Sequence, residues 1–88
     1  IDIANSMIIA LRNPLRQKIL KLLLGNPKTP VNIIITKTNG EQSVISQHLG
    51  ILREAGIVTT IRKGRSIEYS VNQRKLNYLI GRVKEMTC

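Results

Sequence analysis

The stretch Glu41–Ser70, EQSVISQHLGILREAGIVTTIRKGRSIEYS, changes its hydrophobic period once, at Gly56. Before it, Val44, Ile45, Leu49, Ile51, Leu52 and Ala55 recur at helical spacing and give a helix over 41–55 one apolar side. Gln42, Ser43, Ser46, Gln47, Gly50 and Arg53 fall on the other side, and in the first two turns only Glu41 is charged. Gln and Ser are side chains that reach donor and acceptor edges of bases in a major groove. After Gly56, Ile57–Ile61 and Ser66–Val71 are rich in β-branched residues, and the second run alternates, so 58–71 reads as a two-stranded hairpin. Arg62, Lys63, Gly64 and Arg65 stand between the runs and place three cations around a turn.

Working outward, residues 2–11 read as a first helix, with Ile3, Met7, Ala10 and Leu11 in a stripe and Ile8 and Ile9 beside it. This stripe is wider than a small core needs, which fits either deep burial or a second chain. Asn13 is an N-cap before Pro14, and a helix over 14–24 follows, with Leu15, Ile19, Leu22 and Leu23 inward. Gly25-Asn26-Pro27 stops it. Thr29-Pro30 repeats the cap-then-proline signal before a short helix through Lys37, although Ile33, Ile34 and Ile35 also suit a strand. Asn39-Gly40 then makes the turn into the polar-faced helix, and the two helices form a helix-turn-helix.

Asn72 opens the last helix, to Met86, in which Leu76, Leu79, Ile80 and Val83 recur at helical spacing. Ile3, Met7 and Ala10 together with Leu76, Leu79, Ile80 and Val83 are the expected homodimer interface, because two reading helices gain most when symmetry matches two half-sites. The expected class is thus α+β and mainly helical, with four to five helices, a two-stranded wing and a single domain over 1–88.

The net charge of +9, from fourteen Lys and Arg against five acidic residues, favours a polyanionic partner, here double-stranded DNA. With two Tyr and neither Phe nor Trp, the core must be aliphatic and a base-stacking platform for single strands is unsupported. A winged-helix adaptor for protein or structured RNA is the alternative. One His, one Cys and five scattered carboxylates offer no catalytic pair, and no Gly-rich phosphate loop occurs, so no catalytic residue, cofactor or metal ligand is assigned. The single Cys88 is a lone terminal thiol, with a redox switch as its sharper reading. With neither a signal sequence nor an apolar run of about eighteen residues, no membrane partner is expected and the cytoplasm is the expected compartment.

The run Ser43–Leu49 (SVISQHL), Leu52–Val58 (LREAGIV), and Gly64-Arg65 with Tyr69 resemble the recognition helix, helix end and wing of the ArsR-type winged helix-turn-helix repressors. Asn13-Pro14-Leu15-Arg16 and Ile19-Leu20 extend the resemblance upstream. It implies a dimeric transcriptional repressor that leaves its operator when an effector or redox change acts on it. The chain departs from that pattern where metal sensors of the family carry paired cysteines: Ile33–Lys37 holds no thiol, and the last helix holds neither Asp nor His.

Gln42, Ser43 and Gln47 are therefore the base-reading candidates, since Gln bonds adenine bidentately and Ser suits either edge. Their bland reading is a solvated helix face. Arg16, Ser46, His48 and Arg53 are the phosphate or positioning candidates. His48, next to Leu49, reads first as a neutral, hydrogen-bonded residue at the core border and second as a phosphate contact. Arg62, Lys63 and Arg65 are the wing candidates, with a solubilising turn as the alternative. The effector is not readable from the residues.

Overall fold

A computed structural model describes residues 3–87, with side chains placed for 5–85. In chain order the elements are α1 (Ile3–Ala10), α2 (Pro14–Gly25), β1 (Thr29–Pro30), α3 (Val31–Thr38), α4 (Gln42–Glu54), β2 (Val58–Lys63), β3 (Ser66–Val71) and α5 (Gln73–Thr87). The architecture is a mainly helical winged helix-turn-helix. Residues 31–38 are helical, so the strand alternative over the three isoleucines falls.

The hairpin β2–β3 is joined by a third strand, and the antiparallel sheet has the order β1-β3-β2. Thr29 stands opposite Tyr69 and Pro30 opposite Glu68. Two residues carry no alternation to read, and Pro30 has no N–H to donate, which suits an edge. Thr29 is consequently not the cap it was expected to be: its side chain is buried and its hydroxyl donates to the Asn26 carbonyl. Pro30 stands at the N-cap of α3 without a side-chain bond.

The other helix starts follow the sequence signals. Asn13 Oδ1 accepts from Leu15 N at 2.8 Å and Arg16 N at 3.2 Å, with Pro14 in the first turn. Asn72 Oδ1 accepts from Lys75 N at 3.2 Å and opens α5. Each cap satisfies orphan donors and stabilises its helix by about 1 kcal/mol.

Met7, Ile19, Leu23, Ile34, Ile45, Leu49, Leu52 and Ile57 are fully buried, one aliphatic cluster drawing on four helices and the start of the wing. Burial of each such side chain is worth about 1.5–3 kcal/mol. Ala10 and Leu79 belong to the same cluster. Met7, Ala10 and Leu79 were expected at a dimer interface, and the structure corrects this: they are spent on the chain's own core. Ile3 lies in α1, but its side chain is outside the described residues, as is Cys88.

Two turns hold α4 in place. Asn39, left-handed at φ 54°, ends α3, and Gly40 N donates to the Ile35 carbonyl at 3.2 Å. A Cβ on Gly40 would lie 2.8 Å from Ile45 Cδ1 and 2.9 Å from its Cγ1, so this turn rests directly on the core face of α4. At the other end Gly56 takes φ 80°, its N–H bonds to Arg53 O at 3.0 Å, and Ile57 N bonds to Leu52 O at 3.0 Å. That pair of bonds is the Schellman closure, which needs a residue at ease with positive φ.

Candidate nucleic-acid interface

The face of α4 turned to solvent carries the expected residues. Ile45, Leu49 and Leu52 are fully buried beneath it, and Gln42, Ser43, Ser46, Gln47, Gly50 and Arg53 are exposed. Its short amide and hydroxyl side chains are therefore presented by a helix whose opposite side is anchored along its length.

Val44 departs from the sequence expectation. It is 38% exposed, beside the amide face and not beneath it. At about 100° per residue it lies a quarter-turn from Ile45, so a stricter angular reading of the stripe would have placed it there. An exposed methyl-bearing side chain at this position is suited to a thymine methyl group.

His48 occupies the border between the buried stripe and the outer face, and the structure joins it to Arg16 of α2. Arg16 Nη1 lies 3.1 Å from His48 Nδ1, and Arg16 Nε donates to the Ala10 carbonyl at the end of α1. Gln17 Nε2 donates to the Leu11 carbonyl at 2.6 Å, so adjacent residues of α2 satisfy carbonyls left open where α1 stops. Burial, and after it the neighbouring Arg16 charge, hold the His48 pKa below its ordinary 6.5. His48 is thus a hydrogen-bonded residue at the core border, with a side chain as its partner.

The wing differs from the expected turn of four residues. Strand β2 runs through Lys63, β3 starts at Ser66, and only Gly64 and Arg65 connect them. Gly64, at φ 59°, holds the first central position of this two-residue loop, where a type II′ hairpin requires positive φ. Arg62 pairs with Ile67 and Lys63 with Ser66, so successive cations leave opposite faces of the ribbon. Arg62 Nε reaches the Gly64 carbonyl at 3.4 Å. All three wing cations are exposed.

Lys18 donates to the Thr38 carbonyl at 3.3 Å, where α3 ends and its dipole favours positive charge. A surface cleft of about 490 Å³ is lined by residues of α2, β1 and α3 between Leu22 and Lys37 and includes no residue of α4 or the wing. Among the described residues no three of His, Cys, Asp and Glu gather where they could hold a metal ion. No described helix is long and apolar enough to cross a membrane.

The profile of bacterial regulatory proteins of the arsR family matches residues 13–60, more than half of the chain, from the cap of α2 into the wing. The chain belongs to this arsR family. The regulator is 31% identical over 85 residues to the HTH-type transcriptional regulator YgaV of Escherichia coli, covering 97% of this chain and 86% of that protein. It is 36% identical over 80 residues to the transcriptional repressor SdpR of Bacillus subtilis, covering 86% and 88%. Among solved structures, an ArsR-like transcriptional regulator from Rhodococcus sp. RHA1 superposes with a TM-score of 0.87 at 25% identity, covering 97% of this chain and 79% of that one. This arsR-family protein is accordingly a transcriptional regulator and not an enzyme.

Proposed function

We propose that this regulator is a homodimeric cytoplasmic repressor, one domain per chain, that reads a palindromic operator in double-stranded DNA. Helix α4 enters the major groove, where Gln42, Ser43 and Gln47 address base edges, Val44 meets a methyl group, and Ser46 and Arg53 bond phosphates. The wing cations Arg62, Lys63 and Arg65 lie along the flanking backbone or minor groove. The observation that carries this reading is the exposed amide-and-hydroxyl face of α4 backed by Ile45, Leu49 and Leu52. Repression is favoured by the likeness to SdpR, itself named a repressor.

Dimerisation is assigned to the outer sides of α1 and α5, which pack together. With Met7, Ala10 and Leu79 turned inward, the surface left for a second copy carries Ile9 (49% exposed), Ile80 (47%) and Val83 (41%) beside half-buried Leu76. An isologous contact through this face would set the two reading helices about one helical turn of DNA apart.

Selection of bound duplexes from a randomised library tests the reading. It should return an inverted repeat, with the selected duplex preferred over random duplex by about a thousandfold or more; equal binding of both would overturn it. Sedimentation equilibrium should give a dimer, and Ile80→Glu with Val83→Glu a folded monomer. A monomeric parent protein would remove the dimer.

A further inference from the structure

The contact between Arg16 and His48 specifies more than packing. A guanidinium has N–H donors and no acceptor, so His48 Nδ1, 3.1 Å from Arg16 Nη1, accepts through its lone pair. The single ring proton of the neutral imidazole is then on Nε2. A second proton would have to occupy the nitrogen that Arg16 already addresses, beside a fixed positive charge. Arg16 is itself held by two acceptors on different helices, Ala10 O of α1 through Nε and His48 of α4 through Nη1. A planar fork spans two such acceptors in a set geometry, whereas an ammonium does not. His48 keeps part of its surface exposed, and with Nδ1 turned to α2 the ring's other nitrogen lies on the side away from it.

We infer that Arg16 is a positioning residue which fixes His48 as the Nε2–H tautomer, so that the recognition helix carries a neutral donor for a DNA phosphate oxygen at its inner border. The donor half of this assignment rests on the DNA-binding reading above; the tautomer half does not. Arg16 itself, expected from sequence as a phosphate contact, then acts through His48 and links the end of α1 to the reading helix. Because the donor is uncharged, it positions the protein without releasing a counterion.

Long-range proton–nitrogen correlation on uniformly ¹⁵N-labelled protein reads the tautomer directly. At pH 7.5 His48 should be the Nε2–H form. In Arg16→Gln it should become a mixture of tautomers, with the His48 titration midpoint moving back toward 6.5, and Arg16→Lys should not restore the single form. An Nδ1–H tautomer in the parent protein, or a tautomer indifferent to Arg16→Gln, overturns the assignment. For the donor, binding is measured on a random-sequence duplex of about 30 base pairs, or about three helical turns. His48→Ala should weaken binding about tenfold with an unchanged salt slope, and His48→Gln, whose amide nitrogen can stand in for Nε2, should recover most of it. Parent-like binding by His48→Ala rejects the phosphate donor. A parent protein that binds no duplex rejects the regulator's DNA-binding reading and with it the donor, while the tautomer still decides the role of Arg16.

Discussion

Helix α4 and the wing both offer polar or cationic groups to solvent, yet the chain holds them differently. The helix is gripped at both ends, by Gly40 against Ile45 and by the Schellman closure at Gly56, and is seated on three fully buried side chains. The hairpin is anchored at its root, where Val58 is buried and Asn72 N bonds to Ile57 O at 2.7 Å; from Ile61 to Ile67 every residue is exposed. A rigid helix can hold amides against base edges, where an error of an ångström breaks a bond. A free ribbon tip can deliver charge, which tolerates such errors. Discrimination should therefore reside in α4, and salt-dependent affinity in the wing.

The largest effect should come from removing the seat of α4. Leu49→Ala empties a fully buried position and should cost about 3–4 kcal/mol of stability, read as a lower urea midpoint. A cost under about 1 kcal/mol would mean the helix is not seated as described. Gly40→Ala, in the turn before α4, pushes a methyl group against a buried isoleucine and should cost about 1–2 kcal/mol, whereas Gly50→Ala within α4, with nothing within 4 Å of its added Cβ, should be neutral or mildly stabilising. Equal losses for the two would erase the contrast between seated and open sides.

Gln47→Ala should next relax preference at one operator base pair by about 1–2 kcal/mol, leaving random-duplex affinity nearly unchanged. Arg65→Gln should do the reverse, lowering the salt slope by about 1 and weakening selected and random duplexes alike. A wing variant that altered base preference would break the division of labour.

The smallest effect is that of pH on stability. His48 has a folded-state pKa below the unfolded value of 6.5, from burial first and Arg16 second, so the unfolded chain binds more protons in the window beneath 6.5. The neutral ring's contribution is present above 6.5 and is lost as pH falls through the folded pKa. Arg16 is the charged residue the structure sets against the ring; on its own helix Glu41, Arg53 and Glu54 lie farther along. Urea midpoints at pH 7.5 and 5.5 should differ more for the parent protein than for His48→Gln.

Much of this was legible in the residues. The change of period at Gly56 separates helix from hairpin, and Asn13 and Asn72 announce helix starts because a short polar side chain before a helical run can cap it, although Thr29 gives the same signal and bonds the Asn26 carbonyl instead. Strand β1 was not legible, since its pairing with Tyr69 and Glu68 is decided some forty residues away. The division of the apolar stripes was also hidden: spacing marks Met7, Leu79 and Ile80 as apolar without saying which neighbour each meets. The link between Arg16 and His48 joins residues 32 apart in sequence and has no local signature. Each residue stands out alone in the sequence, and only the packing of α2 on α4 joins them as a pair.

Ile57 gives its N–H to Leu52 and its carbonyl accepts from Asn72 N, so a single residue splices the exit of α4 to the start of α5. The ribbon between leaves from that splice, with its root tied to β1 through Tyr69 and Glu68 and only its tip, Ile61 to Ile67, standing clear. A longer or shorter tip would leave the two helices where they are, while α4 and α5 stay tied through that one residue.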